Sequence, residues 1–140
     1  DQAPLAVVVT VPNTRVSSAE AYDRLGSRLT STRPEGNLYA FAAGLRGRLD
    51  WRVVTNELED AVVTGWPEVG EGLRILRSCG SLHASLSGSG AASYAVFDDP
   101  MAARRAAAEL PSEWFVHVGG TLQRRAARLE VEVVSDGGLR

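Results

Sequence analysis

Lysine is absent from the sequence, because all 15 basic residues are arginine. A catalytic lysine, or a lysine that grips phosphate, must therefore come from outside this chain. Isoleucine occurs once, at Ile75, and Ala, Gly, Val and Leu fill most of the remainder. This bias is typical of a genome rich in G and C and carries no functional signal of its own.

The sequence also has only one cysteine, a small net charge and no long apolar run. The single Cys79 excludes an intramolecular disulfide and a cysteine-based metal cluster. A net charge of -2 and a pI near 5.7 argue against a nucleic-acid partner, because affinity for that backbone comes from clustered positive charge. No apolar run approaches the roughly 20 residues of a membrane span, and no signal-peptide pattern is present. We expect a cytoplasmic protein without a membrane partner; nothing in the sequence indicates its oligomeric state.

The length of 140 residues is enough for one core and too short for two ordinary domains. We therefore expect residues 1–140 to form one domain. The sequence opens on Asp1 without an initiator methionine and runs almost directly into an apolar stretch. On that pattern we expect that an N-terminal portion precedes it.

Hydrophobic periodicity and cap residues divide the chain into strands and helices. The predicted strands cover residues 5–11, 82–86, 93–97, 114–118 and 128–134. The predicted helices begin at Ser17 or Ser18, Leu38, the acidic run at 56–60, Pro67 and Met101. An exposed loop is expected at residues 27–36. Strands before and after a helical middle predict an α+β two-layer sandwich, with an antiparallel or mixed sheet covered by helices on one face.

A serine- and glycine-rich segment joins the second and third predicted strands. Its residues are Ser85, Leu86, Ser87, Gly88, Ser89, Gly90 and Ala91. Alternate glycines allow positive φ, so successive backbone N–H groups can turn toward one anion, and the serines add hydroxyl donors. Residue types alone do not separate this interpretation from a plain hairpin turn.

Two familiar phosphate-binding motifs are excluded, since the chain has neither a Walker Gly-Lys-Ser/Thr nor the later glycine of a dinucleotide fingerprint. The segment from Gly80 to Phe97, Gly-Ser-Leu-His-Ala-Ser-Leu-Ser-Gly-Ser-Gly-Ala-Ala-Ser-Tyr-Ala-Val-Phe, instead resembles the third motif of the GHMP kinases, such as galactokinase, homoserine kinase and mevalonate kinase.

Two further segments point to one branch of that superfamily. Residues 7–25, with Val-Ser-Ser-Ala-Glu-Ala-Tyr, are similar to the Pro-x-x-x-Val-Ser-Thr-Ala-x-x-Phe/Tyr segment of the 4-diphosphocytidyl-2-C-methyl-D-erythritol kinase family. Asn56-Glu57-Leu58-Glu59 is similar to that family's Asn-Asp-Leu-Glu, with Glu57 in place of Asp.

The resemblance implies a ferredoxin-like C-terminal domain with a four-stranded sheet. It implies transfer of the ATP γ-phosphoryl group to a hydroxyl of the methylerythritol moiety, in isoprenoid precursor synthesis. ATP and Mg²⁺ would bind mainly through the chain's own N-terminal domain, which carries the phosphate-binding loop and the catalytic Lys and Asp, so no catalytic residue is expected here. Ser18 matches a residue near the substrate, and the site residues implied are Ser18, Ser85, Ser87, Gly88, Ser89, Gly90 and Ala91. The chain alone is expected to be inactive.

Two alternatives stay open. One is another GHMP kinase, of the homoserine or mevalonate type, and the other is a non-catalytic α+β module that binds a small ligand. The remaining candidates have structural interpretations: packed or surface histidines, an inert buried thiol, a helix cap and core or interface indoles. These are His83, His117, Cys79, Asp98, Asp99, Trp51, Trp66 and Trp114.

Overall fold

The computed structural model describes residues 4–26 and 50–122. The loop predicted at 27–36, the helix predicted at 38–49 and the strand predicted at 128–134 lie outside these ranges. The described elements, in chain order, are β1 (Ala6–Val11), α1 (Ser18–Leu25), a single 3-10 turn (Trp51–Val53), α2 (Glu59–Gly65), α3 (Pro67–Ser78), β2 (His83–Leu86), β3 (Ser93–Phe97), α4 (Pro100–Glu109) and β4 (Phe115–Gly120).

The four strands form one sheet in the order β2-β3-β1-β4. All three pairings are antiparallel, and Val8 of β1 lies opposite Ala95 on one side and Val118 on the other. The prediction of an α+β domain with a four-stranded sheet is confirmed, in its antiparallel form. The first strand of the sequence thereby lies between the two strands that close the described chain.

One face of this sheet carries the core. Along β1 the side chains alternate between buried and half-buried, as a strand with one covered face requires. The buried members pack with the helices in a single hydrophobic cluster that includes Val8, Phe97, Leu73 and Leu76. α3 and α4 therefore lie against the sheet, while α2 packs on α3 and α1 packs on α2.

Local signals in the sequence set the helix ends. Ser17 Oγ accepts a hydrogen bond from the Glu20 amide at 3.3 Å and caps α1. Asp99 caps α4 in the same way through the Met101 amide at 2.8 Å, while Pro67 occupies the first turn of α3. These starts agree with the sequence predictions. No helix within the described ranges is long and apolar enough to cross a membrane.

Burial at the helix–sheet contact can be tested with two matched truncations. Leu76 of α3 is fully buried and Met101 of α4 is 59% exposed, and alanine favours helix at both positions. We expect Leu76→Ala to lower the free energy of unfolding by about 2–5 kcal/mol. Met101→Ala should change it by less than about 0.5 kcal/mol. Urea denaturation followed by circular dichroism measures both, and equal losses would contradict the core assignment.

Candidate functional site

The connection between β2 and β3 is a tight loop with two glycines in the left-handed region. We call residues 87–91 the Ser-Gly loop. Gly88 has φ +66° and Gly90 has φ +96°, and the Ser87 amide donates to the Ala92 carbonyl at 2.9 Å across the base of the loop. The loop is therefore a hairpin connection in its topology, and its contacts with the rest of the chain decide whether it is more than that.

The loop has backbone N–H groups that no other group in the described residues uses. Within the described residues, the backbone N–H groups of Gly88, Ser89, Gly90 and Ala91 have no hydrogen-bond partner. Ser87 and Gly88 are exposed, and the three residues after them are half-buried. Successive free amides beside positive-φ glycines are groups that can donate together to an anion such as phosphate.

Asn56 holds the loop from one side. Its Nδ2 donates to the Gly88 carbonyl at 2.8 Å and to the Leu86 carbonyl at 3.3 Å, and its Oδ1 accepts from the Leu58 amide at 3.0 Å. One side chain thus binds both ends of the turn into Gly88 and also fixes the approach to α2. These two carbonyls are therefore occupied by the Asn56 side chain.

The N-terminus of α1 contacts the loop from another side. Ser18 Oγ and Ser89 Oγ share a hydrogen bond of 2.7 Å. The two hydroxyls belong to residues 71 positions apart, so the contact joins the beginning of the described chain to the loop. Ser18 and the loop serines, which the sequence nominates together, are therefore neighbours in space.

The underside of the loop is closely packed. A Cβ at Gly90 would lie 3.0 Å from Val62 Cγ1 of α2 and 3.5 Å from Val16 Cγ1. Gly88, in contrast, has open space where a Cβ would stand. Gly90 therefore allows α2 and the segment before α1 to approach the loop, while Gly88 supplies only backbone conformation.

Ser85, also a site residue predicted from the sequence, lies in β2, before the loop. Its side chain is buried, with 4% of the residue exposed. Its hydroxyl donates to Glu59 Oε2 at 3.0 Å. Glu59 Oε1 in turn accepts from Arg77 Nη2. Ser85 thus links the strand before the loop to the start of α2.

A cavity of about 480 Å³ runs along β2, with Asn56, Glu59, Arg77 and His83 among its lining residues. His83 stacks on Trp51 with ring centroids 5.7 Å apart and lies 5.8 Å from the Tyr94 ring. Burial lowers the pKa of His83, and the nearby Glu59 opposes this shift. His83 is a packed aromatic residue in the wall of the cavity, as its structural interpretation predicted.

Three other candidates from the sequence lie on β4 or at the ends of helices. His117 is exposed on β4, and Cys79 is half-buried at the end of α3. Asp99 caps α4. Within residues 4–26 and 50–122, no group of three or more His, Cys, Asp or Glu side chains is placed to hold a metal ion.

Asn56 and Glu59 are not among the site residues predicted from the sequence. Both are contained in the Asn-Glu-Leu-Glu segment, which served only to choose a family branch. The local sequence indicates only that Asn56 can cap the helix that follows it. Its bond to the Gly88 carbonyl depends on a loop 32 residues away. The signal that could have found them is that this segment and the Ser-Gly loop belong to one family pattern.

Comparison with known proteins shows the family to which this fold belongs. The family model described as GHMP kinases C terminal matches residues 37–117, more than half of the chain. The chain belongs to this family.

The most informative relatives share one enzyme name. The 4-diphosphocytidyl-2-C-methyl-D-erythritol kinase of Mesorhizobium japonicum is 34% identical over 119 residues, which is 83% of this chain and 40% of the relative. That of Chlorobium luteolum is 36% identical over 106 residues, 74% of this chain and 36% of the relative. The chain thus spans about two fifths of the length of the curated relatives it matches.

Solved structures give the same grouping. A crystal structure of 4-(cytidine 5'-diphospho)-2C-methyl-D-erythritol kinase superimposes with a TM-score of 0.67 at 26% identity, covering 84% of this chain and 42% of that one. Homoserine kinase from Cytophaga hutchinsonii superimposes with a TM-score of 0.63 at 19% identity, covering 84% and 41%. The second likeness supports the fold alone.

The two loop glycines should differ in their tolerance of alanine. Both substitutions place an L-residue at positive φ, which costs about 1–2 kcal/mol. Gly90→Ala adds a contact with Val62 and a φ beyond the usual left-handed well, so we expect a larger loss of unfolding free energy than for Gly88→Ala.

Val62→Ala provides the matched background, because it removes the methyl group that the new Cβ would meet. In that background the additional cost of Gly90→Ala should shrink, whereas the cost of Gly88→Ala should not change. Denaturant titration of six proteins gives the comparison: the unchanged loop, Gly88→Ala and Gly90→Ala, each with Val62 and with Val62→Ala. Equal costs of the two alanines in both backgrounds would contradict the packing described for Gly90.

Proposed function

We propose that this chain is the acceptor-side part of an ATP-dependent kinase that phosphorylates a hydroxyl group of 4-diphosphocytidyl-2-C-methyl-D-erythritol. The observation that carries the proposal is the Ser-Gly loop, in which the N–H groups of residues 88–91 have no partner among the described residues while Asn56 and Ser18 hold the loop in place. The names of the relatives and of the more similar solved structure support the choice of acceptor.

The role proposed for the loop follows from the chemistry of phosphoryl transfer. Such transfer depends on positioning and on neutralising charge, with little covalent chemistry supplied by the protein. Free backbone amides at Gly88, Ser89 and Gly90 can donate to phosphate oxygens, and the hydroxyl of Ser87, together with whichever of Ser18 and Ser89 accepts in their shared bond, can donate to the acceptor. In this proposal the loop braces the phosphate-binding loop of the N-terminal half and orients the acceptor hydroxyl.

The catalytic groups are proposed to lie outside the chain. The chain has no lysine, and its described residues bring no three potential metal ligands together. We therefore propose that ATP and Mg²⁺ bind mainly through an N-terminal domain that carries the phosphate-binding loop. ATP with Mg²⁺ would supply the phosphoryl group. This chain would bind and orient the acceptor and exclude water from it.

A substrate panel tests the proposed acceptor. We expect the intact protein with ATP and Mg²⁺ to phosphorylate 4-diphosphocytidyl-2-C-methyl-D-erythritol and to leave homoserine and mevalonate unmodified. Residues 1–140 alone should not phosphorylate any of the three, because they lack the groups that bind ATP. The readout is ADP release coupled to product detection. Preference for homoserine or mevalonate would overturn the acceptor, and turnover by residues 1–140 alone would overturn the division of labour.

Tyr22 offers a test of how the acceptor is recognised. Its residue is 50% exposed, and it follows Ser18 by one helical turn on α1, so both lie on one face of the helix. We propose that its ring stacks on the cytosine of the acceptor, because an exposed aromatic beside the loop is a sequence-tolerant platform for a base.

We expect Tyr22→Ala to raise KM for the cytidyl acceptor about tenfold, within the usual range for loss of one base–aromatic stack. Tyr22→Phe keeps the ring and should stay near wild type, and KM for ATP should not change in either variant. Steady-state kinetics on the intact protein decide the matter. An equal effect of the Phe and Ala variants, or an effect on ATP instead of the acceptor, would reject stacking by Tyr22.

A further inference from the structure

Glu59, the first residue of α2, joins three separate elements through one carboxylate. Its Oε1 accepts from Arg77 near the end of α3, and its Oε2 accepts from the Ser85 hydroxyl on β2 at 3.0 Å. The Glu59 side chain is 20% exposed and that of Arg77 is 50% exposed. The ion pair is therefore partly shielded from solvent on the Glu59 side, where hydrogen bonds are stronger than at an open surface.

Arg77 closes the arrangement with a second bond. Its Nη2 also donates to the Ala84 carbonyl at 2.9 Å, immediately before Ser85. The two consecutive residues of β2 that lead into the Ser-Gly loop are thus held by one acid and one base. Removal of the charge on Glu59 would weaken both bonds, because Arg77 is placed by its ion pair.

The Glu59 contact and the Asn56 contact act on the same two segments. Asn56 binds the carbonyls of Leu86 and Gly88, and three residues later Glu59 binds Ser85. A single attachment would let β2 and the start of α2 pivot about it. With one attachment at Ser85 and a second at Leu86 and Gly88, the direction in which the chain enters the loop is fixed.

We propose that Glu59 is a positioning residue for the phosphoryl transfer: through Ser85 and Arg77 it sets the orientation of the Ser-Gly loop amides. This inference rests on the proposed function, and it assigns to Glu59 no contact with substrate. Loss of the anchor leaves the loop amides present but less well aligned, and misalignment by a fraction of an ångström lowers the rate of a step that depends on positioning.

An ion pair within α3 provides a matched control. Glu71 and Arg74 of α3 form an ion pair of 2.6 Å, with side chains that are 48% and 64% exposed. Within the described residues, their side chains hydrogen bond only to each other. Glu71→Gln therefore removes one carboxylate charge from one Glu–Arg pair without touching β2 or the loop.

The experiment compares Glu59→Gln and Glu71→Gln in the intact protein. Gln keeps the size of Glu and one acceptor oxygen, so the fold should tolerate both changes. We expect Glu59→Gln to lower kcat, corrected for the folded fraction, about tenfold, with KM for ATP unchanged, which is the pattern of an interaction needed in the transition state. Glu71→Gln should leave kcat unchanged. A lower melting temperature for Glu59→Gln with an unchanged corrected kcat would reduce Glu59 to a structural role and overturn the proposal.

Ser85→Ala tests the route by which Glu59 acts. If Glu59 acts through Ser85, this variant should also lower kcat, and the double variant Glu59→Gln/Ser85→Ala should be no slower than Glu59→Gln alone. Additive losses would indicate two independent effects and would overturn the route.

Hydrogen exchange separates this inference from the proposed function, because it needs no substrate. We expect the Ser87 amide, which bonds to Ala92, to exchange about tenfold faster in Glu59→Gln and at the wild-type rate in Glu71→Gln. If the wild-type protein does not phosphorylate the cytidyl acceptor but this exchange difference is found, the proposed function fails and the anchor stands. If exchange at the loop is the same in all three proteins, the anchor fails whatever the substrate.

Discussion

The side-chain amide of Asn56 is the contact on which the geometry of the Ser-Gly loop depends. It donates to the carbonyl of Leu86 at the end of β2 and to that of Gly88 in the loop, and its oxygen accepts from the amide of Leu58 before α2. An amide is suited to this place because it donates and accepts at once, which neither a carboxylate nor an aliphatic side chain can do. Both carbonyls are thus occupied, whereas the N–H groups of residues 88–91 have no partner among the described residues.

The sheet topology makes this support possible. β1 lies between β3 and β4, so the chain that leaves β1 passes the end of the β2–β3 hairpin before it enters α1. Ser18, at the first turn of α1, consequently meets Ser89. The loop is thus enclosed by the first turn of α1 and the approach to α2, and Gly90 permits the close contact with Val62. A hairpin turn with only local partners would have none of these contacts.

How much could be predicted from the sequence depended on the range of the interaction. Caps at Ser17 and Asp99 and the start at Pro67 are local, so the residues next to the helix suffice to predict them. The continuous apolar run at residues 5–11 and the alternation along residues 93–97 likewise predicted two strands, but not that they pair with each other. The bond between Asn56 and Gly88 joins residues 32 positions apart, and no local pattern encodes it. Family resemblance found both segments without revealing that they touch, and the bond between Ser85 and Glu59 is equally beyond the reach of a local pattern.

The one departure of the Asn-Glu-Leu-Glu segment from its family pattern can be understood from these contacts. Asn56 binds the loop, Leu58 is buried with 7% of its surface exposed, and Glu59 binds Ser85 and Arg77. Glu57, which stands where the family has Asp, is exposed and makes no hydrogen bond within the described residues. The substitution therefore falls at the position of the four whose side chain does not fix the loop. An extra methylene is tolerated there, whereas lengthening or shortening the side chain at position 56 or 59 would displace a donor or acceptor from the loop or from β2.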